Sequence, residues 1–188
     1  MNNRSRRLVI ALLIQTGCLF YGYCPGQRLQ TLDHKVYDLS KQRKKLVAFV
    51  FLSPECPLCQ NYSLALNDLQ EKFKTDLDIL GIFPGKAYAR EAYEGFRDKY
   101  HIRFLLLTDT SFELVKQLSA RVTPEVFLMD TEKKIRYHGA IDNWVTALGK
   151  HRNKATEHYL EDGIGEYLRK SPILVKETKP VGCFINEY

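Results

Sequence analysis

The chain has 188 residues, of which 45% are hydrophobic and 27% are charged, and its formal net charge is +6. This composition is ordinary for a globular protein and excludes a fibrous or disordered chain, and the length suits one domain with a sizeable core. The basic residues are scattered without a nucleic-acid recognition motif, so we expect a solvated surface and no nucleic-acid partner.

The first residues predict an export leader. Three arginines within residues 4–7 precede a short apolar stretch at residues 8–14, which is too short for the ~20 residues that a membrane-spanning helix needs. Gly17-Cys18 resembles a bacterial lipoprotein processing site, at which Cys18 would be lipidated and would tether the protein to a membrane. Gln15 stands where such sites usually carry Leu, so ordinary signal cleavage and a retained anchor stay open as alternatives.

The leader suggests a domain organisation and a compartment. We expect residues 1–18 to be the leader, residues 19–27 a short linker and residues 28–188 one domain in the periplasm or cell envelope. Disulfides persist outside the cytosol, so Cys24 and Cys183 are candidates for a structural bridge as well as for reactive thiols.

Apolar runs alternate with helical periodicity along the domain. Continuous apolar runs predict buried strands, and apolar residues at three- and four-residue spacing predict helices. The predicted strands are residues 46–52, 76–83, 104–107, 126–129 and 135–140, and the predicted helices are residues 58–73, 87–100, 111–119 and 157–169, with another starting at Trp144. Ser111 or Thr110 is expected to cap the third helix, and Asp142 with Asn143 the helix at Trp144. The alternation predicts an α/β fold with a central mixed sheet and helices on both faces.

Cys56 and Cys59 form a Cys-x-x-Cys motif between the strand at residues 46–52 and the helix that follows it. At such a turn, free backbone N–H groups and the helix dipole stabilise a thiolate on the first cysteine. Pro57 removes one backbone donor, and the Glu55 carboxylate opposes the dipole by raising the thiol pKa. The alternative is a static bridge or half of a zinc site, but zinc needs about four ligands and the sequence has no second Cys-x-x-Cys. We interpret the pair as redox-active and expect neither a metal nor a cofactor.

The strand, the Cys-Pro-x-Cys turn and the helix, together with Val-Thr-Pro-Glu-Val at residues 122–126, resemble the active-site turn and cis-proline loop of the thioredoxin superfamily. Residues 29–39 resemble the opening β-hairpin of its redoxin branch, which contains alkyl hydroperoxide reductase and thiol-specific antioxidant domains. Thr-Lys-Pro-Val-Gly-Cys at residues 178–183 resembles a motif of a peroxiredoxin-like bacterial subfamily. The resemblance covers about residues 28–185 and implies a thioredoxin-like fold with a C-terminal helical extension.

The resemblance implies roles for four residues. Cys56 is the expected nucleophile, exposed at the helix start, and Cys59 is the resolving thiol, buried one turn later. The bond before Pro124 is expected to be cis, which exposes the backbone of Thr123 for pairing with an extended substrate. Cys56 would attack a partner disulfide and Cys59 would release the reduced partner, or the reverse sequence would install a disulfide. The implied partners are protein thiols or disulfides and an unidentified electron donor or acceptor.

Two other functions stay open. A thiol peroxidase is the first, because Ser53, three residues before the first cysteine, matches half of a peroxiredoxin motif. Against it, Phe49 stands where that motif carries a proline, Pro124 stands in the place of the activating arginine, and no motif assigns Arg121 that role. Copper delivery is the second, because thiolates and a histidine such as His138 bind Cu(I). The cysteines of copper-delivery proteins, however, are spaced one residue further apart.

The tail beyond the last predicted helix carries Cys183 after Pro180 and Gly182. A tail with proline and glycine can fold back onto the domain. We expect Cys183 either to pair with Cys24, which would tie the two ends of the mature chain together, or to offer a third redox thiol to Cys56. The first alternative is favoured, because chain ends often lie close together and export permits disulfides.

Overall fold

The computed structural model describes residues 29–186 of the chain. The predicted leader and linker lie outside these residues, and so do Cys18 and Cys24. Within the described part, the α-helices and strands are, in chain order, β1 (Gln30–Thr31), β2 (Leu46–Phe51), α1 (Pro57–Lys72), β3 (Leu77–Pro84), α2 (Arg90–Lys99), β4 (Leu105–Asp109), α3 (Glu113–Leu118), β5 (Val122–Thr123), β6 (Glu125–Asp130), β7 (Ile135–Gly139), β8 (Val145–Ala147), β9 (Lys150–His151), α4 (Tyr159–Leu168) and β10 (Cys183–Phe184). No helix in this part of the chain is both long and apolar enough to cross a membrane.

A six-stranded mixed sheet forms the centre of the fold, in the order β1-β4-β3-β2-β6-β7. β2, β3 and β4 run parallel, whereas β1, β6 and β7 are antiparallel to their neighbours. β2 lies in the interior, and its alternate residues enter two separate cores: Ala48 and Val50 one, Phe49 and Phe51 the other. A strand buried on both faces needs an unbroken apolar sequence, which is why residues 46–52 contain no polar residue.

Helices cover both faces of the sheet. Leu66 of α1, Tyr93 of α2 and Leu160 of α4 belong to the core on one face. Leu114 and Val115 of α3 belong to the core on the other face. The predicted fold class is therefore confirmed, and the predicted hairpin is present as β1 with an antiparallel bridge from its first residue to Val36.

The predicted cap of α3 is wrong. The carboxylate of Asp109, rather than Ser111 or Thr110, accepts hydrogen bonds from the N–H groups of Glu113 and Val115, both at 2.9 Å. Asp109 is the last residue of β4 and is buried, so its side chain reaches the start of the helix from the sheet.

The predicted helix at Trp144 is also wrong, because this stretch forms a β8-β9 hairpin. Asp142 does not begin a helix; its carboxylate accepts hydrogen bonds from the Trp144 N–H at 2.8 Å and from the Tyr62 hydroxyl at 2.5 Å. Gly149, with a φ of +74°, allows the tight turn, and the Trp144 ring stacks on His151. These contacts with α1 and across the turn outweigh the local helical pattern.

Candidate active site

Cys56 and Cys59 lie where α1 begins, directly after β2. Cys56 is the N-cap residue, Pro57 is the first helical residue, and the Cys56 carbonyl accepts the first helical hydrogen bond from the Gln60 N–H at 3.1 Å. Cys59 is completely buried, and the Ser53 N–H donates to its Sγ at 3.4 Å. The structure therefore has the strand, turn and helix that the sequence predicts.

Cys56 is not exposed, contrary to the prediction. Its side chain is only 2% accessible to solvent. The C-terminal segment covers it, with the Cys183 thiol donating to Cys56 Sγ at a sulfur-to-sulfur distance of 2.9 Å. Because this contact joins residues far apart in the sequence, no local pattern around the motif indicated it.

The environment lowers the pKa of one thiol of the motif and raises the pKa of the other. A hydrogen bond from the Cys59 thiol lowers the pKa of Cys56 to about 5, and the Cys183 thiol and the N–H groups of Cys59 and Leu58 act in the same direction against burial. Burial raises the pKa of Cys59, and its hydrogen bond to Cys56 and the Cys56 charge raise it further. Cys56 is thus the thiolate at neutral pH, and Cys59 keeps its proton.

The Thr123–Pro124 peptide bond is cis, which confirms that prediction. The loop lies against the nucleophile, because Cys56 Sγ is 3.1 Å from the carbonyl oxygen of Thr123, to which the thiol donates when it is protonated. The carboxylate of Glu125 is buried and accepts hydrogen bonds from the N–H groups of Arg121 and Val122, at 2.7 and 3.2 Å. These bonds hold the segment before the proline in an extended form.

β10 pairs with β5 in an antiparallel two-stranded sheet next to this loop. Cys183 lies opposite Thr123 and Phe184 opposite Val122. Burial raises the pKa of Cys183 to about 12, and its hydrogen bond to Cys56 adds to the effect. Of the two alternatives predicted for Cys183, the structure has the sulfur beside Cys56; Cys24 lies outside the described residues.

The C-terminal segment is also held at a second point, along β7. The backbone of His138 donates to the Lys176 carbonyl at 3.0 Å and accepts from the Thr178 N–H at 3.1 Å. The Thr178 hydroxyl lies 2.7 Å from the Tyr137 hydroxyl and accepts from the Ala140 N–H at 2.9 Å. Two anchors, one on β7 and one on β5, therefore direct the tail across the mouth of the site.

The side chains around Cys56 differ from those that a peroxidase would need. Within residues 29–186, the hydrogen bonds donated to Cys56 Sγ come from thiol and backbone N–H groups and not from an arginine. Arg121 is exposed. The Ser53 hydroxyl lies 3.2 Å from the hydroxyl of Tyr88, which also donates to Glu55 at 3.4 Å. The sequence around the motif gives no indication of Tyr88, because its loop is distant in sequence from the motif.

His138, the candidate copper ligand, is engaged elsewhere. Its ring stacks on Phe127 with the centroids 5.6 Å apart, and Nε2 lies 3.6 Å from the Glu177 carboxylate. In the described part of the chain, no group of three or more His, Cys, Asp or Glu side chains is arranged to hold a metal ion. The geometry thus does not support a copper site that includes His138.

Residues 23–138 match the AhpC/TSA family, so the match covers more than half of the chain. It includes the Cys-x-x-Cys motif and Pro124, whereas the C-terminal segment with Cys183 lies beyond it. Among curated protein sequences, none matches this chain.

Solved structures with a thioredoxin-like fold resemble this one. A hypothetical protein from Sinorhizobium meliloti 1021 has a TM-score of 0.74 at 22% identity, over 87% of this chain and 94% of that one. An uncharacterized conserved protein from Geobacillus kaustophilus has a TM-score of 0.73 at 20% identity, over 86% and 88%. A secreted Mycobacterium tuberculosis disulfide oxidoreductase homologous to E. coli DsbE has a TM-score of 0.53 at 16% identity, over 75% and 92%. At these identities the likeness concerns the fold.

Proposed function

The chain belongs to the AhpC/TSA family, which confirms the predicted redoxin branch and makes it an oxidoreductase, and we propose that it exchanges disulfides with protein partners through Cys56 and Cys59. The observation that carries the proposal is the pairing of a low-pKa thiol, Cys56, with a buried, protonated thiol on the first turn of α1. Dithiol exchange needs an attacking thiolate and a second thiol that stays protonated until the mixed disulfide has formed.

The first step uses the Cys56 thiolate. It attacks one sulfur of a partner disulfide, a bond forms between that sulfur and Cys56 Sγ, and the partner S–S bond breaks. The second partner sulfur leaves as a thiolate and takes up a proton. An extended partner segment pairs with the backbone of Thr123, beside the cis bond to Pro124, which presents its sulfur to Cys56.

Cys59 completes the exchange. Once Cys56 is neutral in the mixed disulfide, its charge no longer opposes ionisation of Cys59, so the pKa of Cys59 falls. Cys59 then gives up its proton and attacks Cys56 Sγ, the mixed disulfide breaks, and the remaining partner sulfur leaves as a thiolate. Two electrons pass to the partner, and the protein retains a Cys56–Cys59 disulfide that an electron donor must reduce. The reverse sequence installs a disulfide in the partner.

The proposed place of action is outside the cytoplasm. The leader pattern of residues 1–18, with three arginines, an apolar stretch and the Gly17-Cys18 junction, supports export to the periplasm or cell envelope. Lipidation of Cys18 would tether the domain to a membrane, with residues 19–27 as the linker. Protein disulfides form and persist in this compartment, so suitable partners are available there.

The test compares disulfide exchange and peroxide reduction on one sample. We expect the protein to reduce insulin disulfides, and we expect hydrogen peroxide to oxidise Cys56 slowly, because no arginine among residues 29–186 donates to its sulfur. Cys56→Ser should lower insulin reduction at least about 1,000-fold. Stopped-flow oxidation and insulin turnover measure the two activities.

Ser53→Ala is the matched control for this test. It removes only a hydroxyl that contacts Tyr88, so insulin reduction should continue. Rapid, saturating peroxide consumption that Ser53→Ala abolishes, with negligible insulin reduction, would instead establish the peroxidase.

A further inference from the structure

The C-terminal segment of the chain lies where the proposed partner would bind. β10 aligns Cys183 with Thr123 and Phe184 with Val122, and the Ile185 N–H extends the pairing by donating to the carbonyl of residue 121 at 2.9 Å. An extended partner would use this same backbone edge. The chain therefore occupies its own docking edge with a cysteine-bearing strand.

The sulfur atoms are in contact as well. Cys183 Sγ lies 2.9 Å from Cys56 Sγ, and Cys56 is almost completely buried beneath the segment. A movement of roughly 1 Å would bring the two sulfurs to the length of a disulfide bond. Cys183 thus has the position that the sulfur of a partner would take.

We propose that Cys183 is a third redox-active thiol that forms an intramolecular disulfide with Cys56 while β10 occupies the docking edge. The proposal rests on the disulfide exchange proposed for Cys56 and Cys59. In the oxidised protein, Cys183 gives up its proton and attacks Cys56 Sγ, a Cys56–Cys183 bond forms, and the Cys56–Cys59 bond breaks. Cys59 leaves as a thiolate and takes up the proton, so the transfer needs neither an oxidant nor a reductant.

The fit of the segment depends on Gly182. A Cβ at this position would overlap the carbonyl group of Thr123, which is backbone and has little freedom to move. Any larger residue must therefore shift β10 away from β5. Gly182→Ala keeps the thiols of Cys56, Cys59 and Cys183 but moves Cys183 away from Cys56.

Few interactions hold β10 on β5, so a partner can displace it. β10 has two residues, within the described part of the chain it pairs on one side only, and Phe184 is 76% exposed, so its release would uncover little apolar surface. A protein partner that pairs with β5 would exclude β10 and open Cys56. The Cys56–Cys183 disulfide is accordingly a closed state, which opens when the thiolate of Cys59 or of a partner attacks Cys56 Sγ and Cys183 leaves as a thiolate that takes up a proton.

The test uses the full chain carrying Cys59→Ser and glutathione disulfide as the probe. Cys56 first forms a mixed disulfide and releases one glutathione; Cys183 then displaces the second glutathione and leaves a Cys56–Cys183 bond. Non-reducing peptide mapping should recover the Cys56–Cys183 peptide at least about tenfold in excess of the Cys56–glutathione adduct, because a tethered thiol has a high effective concentration.

Gly182→Ala and Gly95→Ala, each added to Cys59→Ser, form a matched pair. Gly95 has open space around the position of a Cβ, so its substitution should leave the Cys56–Cys183 yield as it is. Gly182→Ala should slow formation of this disulfide about tenfold and preserve the glutathione adduct. Equal rates in the two variants would show that the docked strand does not control the reaction.

Two results would overturn the inference. One is a free Cys183 beside a stable Cys56–glutathione adduct, and the other is a Cys24–Cys183 peptide. The insulin assay separates this failure from failure of the proposed function. If the parent chain reduces insulin but the Cys59→Ser chain yields no Cys56–Cys183 peptide, only the inference fails. If the Cys59→Ser chain forms the peptide but the parent chain does not reduce insulin, the proposed partner exchange fails.

Discussion

The two segments that meet at Cys56 are held in very different ways. β2, which leads into the Cys-x-x-Cys turn, pairs with β3 on one side and β6 on the other along all of its residues, and each of them is buried. Among residues 29–186, β10, which brings Cys183, pairs over two residues with β5 alone. The nucleophile is therefore fixed by the core of the domain, while its cover is held by a few interactions. Such a cover can open without unfolding the sheet.

The largest expected contrast is in stability. Phe49→Ala should lower the free energy of unfolding by about 3–5 kcal/mol, because Phe49 is fully buried in β2 and its loss leaves a cavity. Phe184→Ala should change it by less than about 0.5 kcal/mol, since most of that ring is already in water. Urea unfolding at one pH measures both. A Phe184 variant as damaging as the Phe49 variant would show that β10 is an integral part of the core.

The second prediction concerns pH and the fixed nucleophile. The pKa of Cys56 falls from its ordinary value of 9.0 to about 5 in the folded protein. Between these values the unfolded chain binds more protons at Cys56 than the folded chain, so stability rises with pH; the contribution is complete above pH 9 and lost below pH 5. Between about pH 6 and 8, the reduced protein should gain on the order of 1–3 kcal/mol relative to Cys56→Ser.

Reductant must be present at both pH values in that experiment, because a disulfide at Cys56 would remove the titrating group. Urea unfolding of the parent and of Cys56→Ser gives the difference directly, and thiols outside the site cancel in the comparison. A difference that does not change with pH would contradict the low pKa of Cys56.

The smallest expected effect tests the second anchor of the tail. Thr178→Val keeps the shape of the side chain but removes the hydroxyl that contacts Tyr137 and accepts from the Ala140 N–H. We expect a loss of about 1 kcal/mol and faster alkylation of Cys56 by iodoacetamide, because the tail is held less firmly. Thr146→Val is the control, since its hydroxyl is exposed and donates to the Lys150 carbonyl within the β8-β9 hairpin at 3.2 Å. Equal alkylation rates in the two variants would mean that this anchor does not limit access to Cys56.

The strands were predictable to within a few residues because buried strands require continuous apolar sequence. Residues 46–52 match β2, and residues 135–140 match β7, each to within one residue. The β8-β9 hairpin, which stands where a helix is expected from Trp144, could not be predicted in the same way. Asp142 and Trp144 fit the start of a helix locally. In the structure, however, Asp142 accepts a hydrogen bond from Tyr62 of α1, and Trp144 stacks on His151 of β9.

By itself, the sequence determined the strand, turn and helix that hold Cys56 and Cys59, since neighbouring residues build that unit. Its resemblance to a known family also predicted the cis bond at Pro124. Only the tertiary structure decided that Cys56 is buried and that Cys183 lies 2.9 Å from it, across 127 positions of sequence. The physical reason is that a two-residue strand has almost no sequence signal of its own. Its position comes from backbone hydrogen bonds with β5, which any sequence of suitable shape can make.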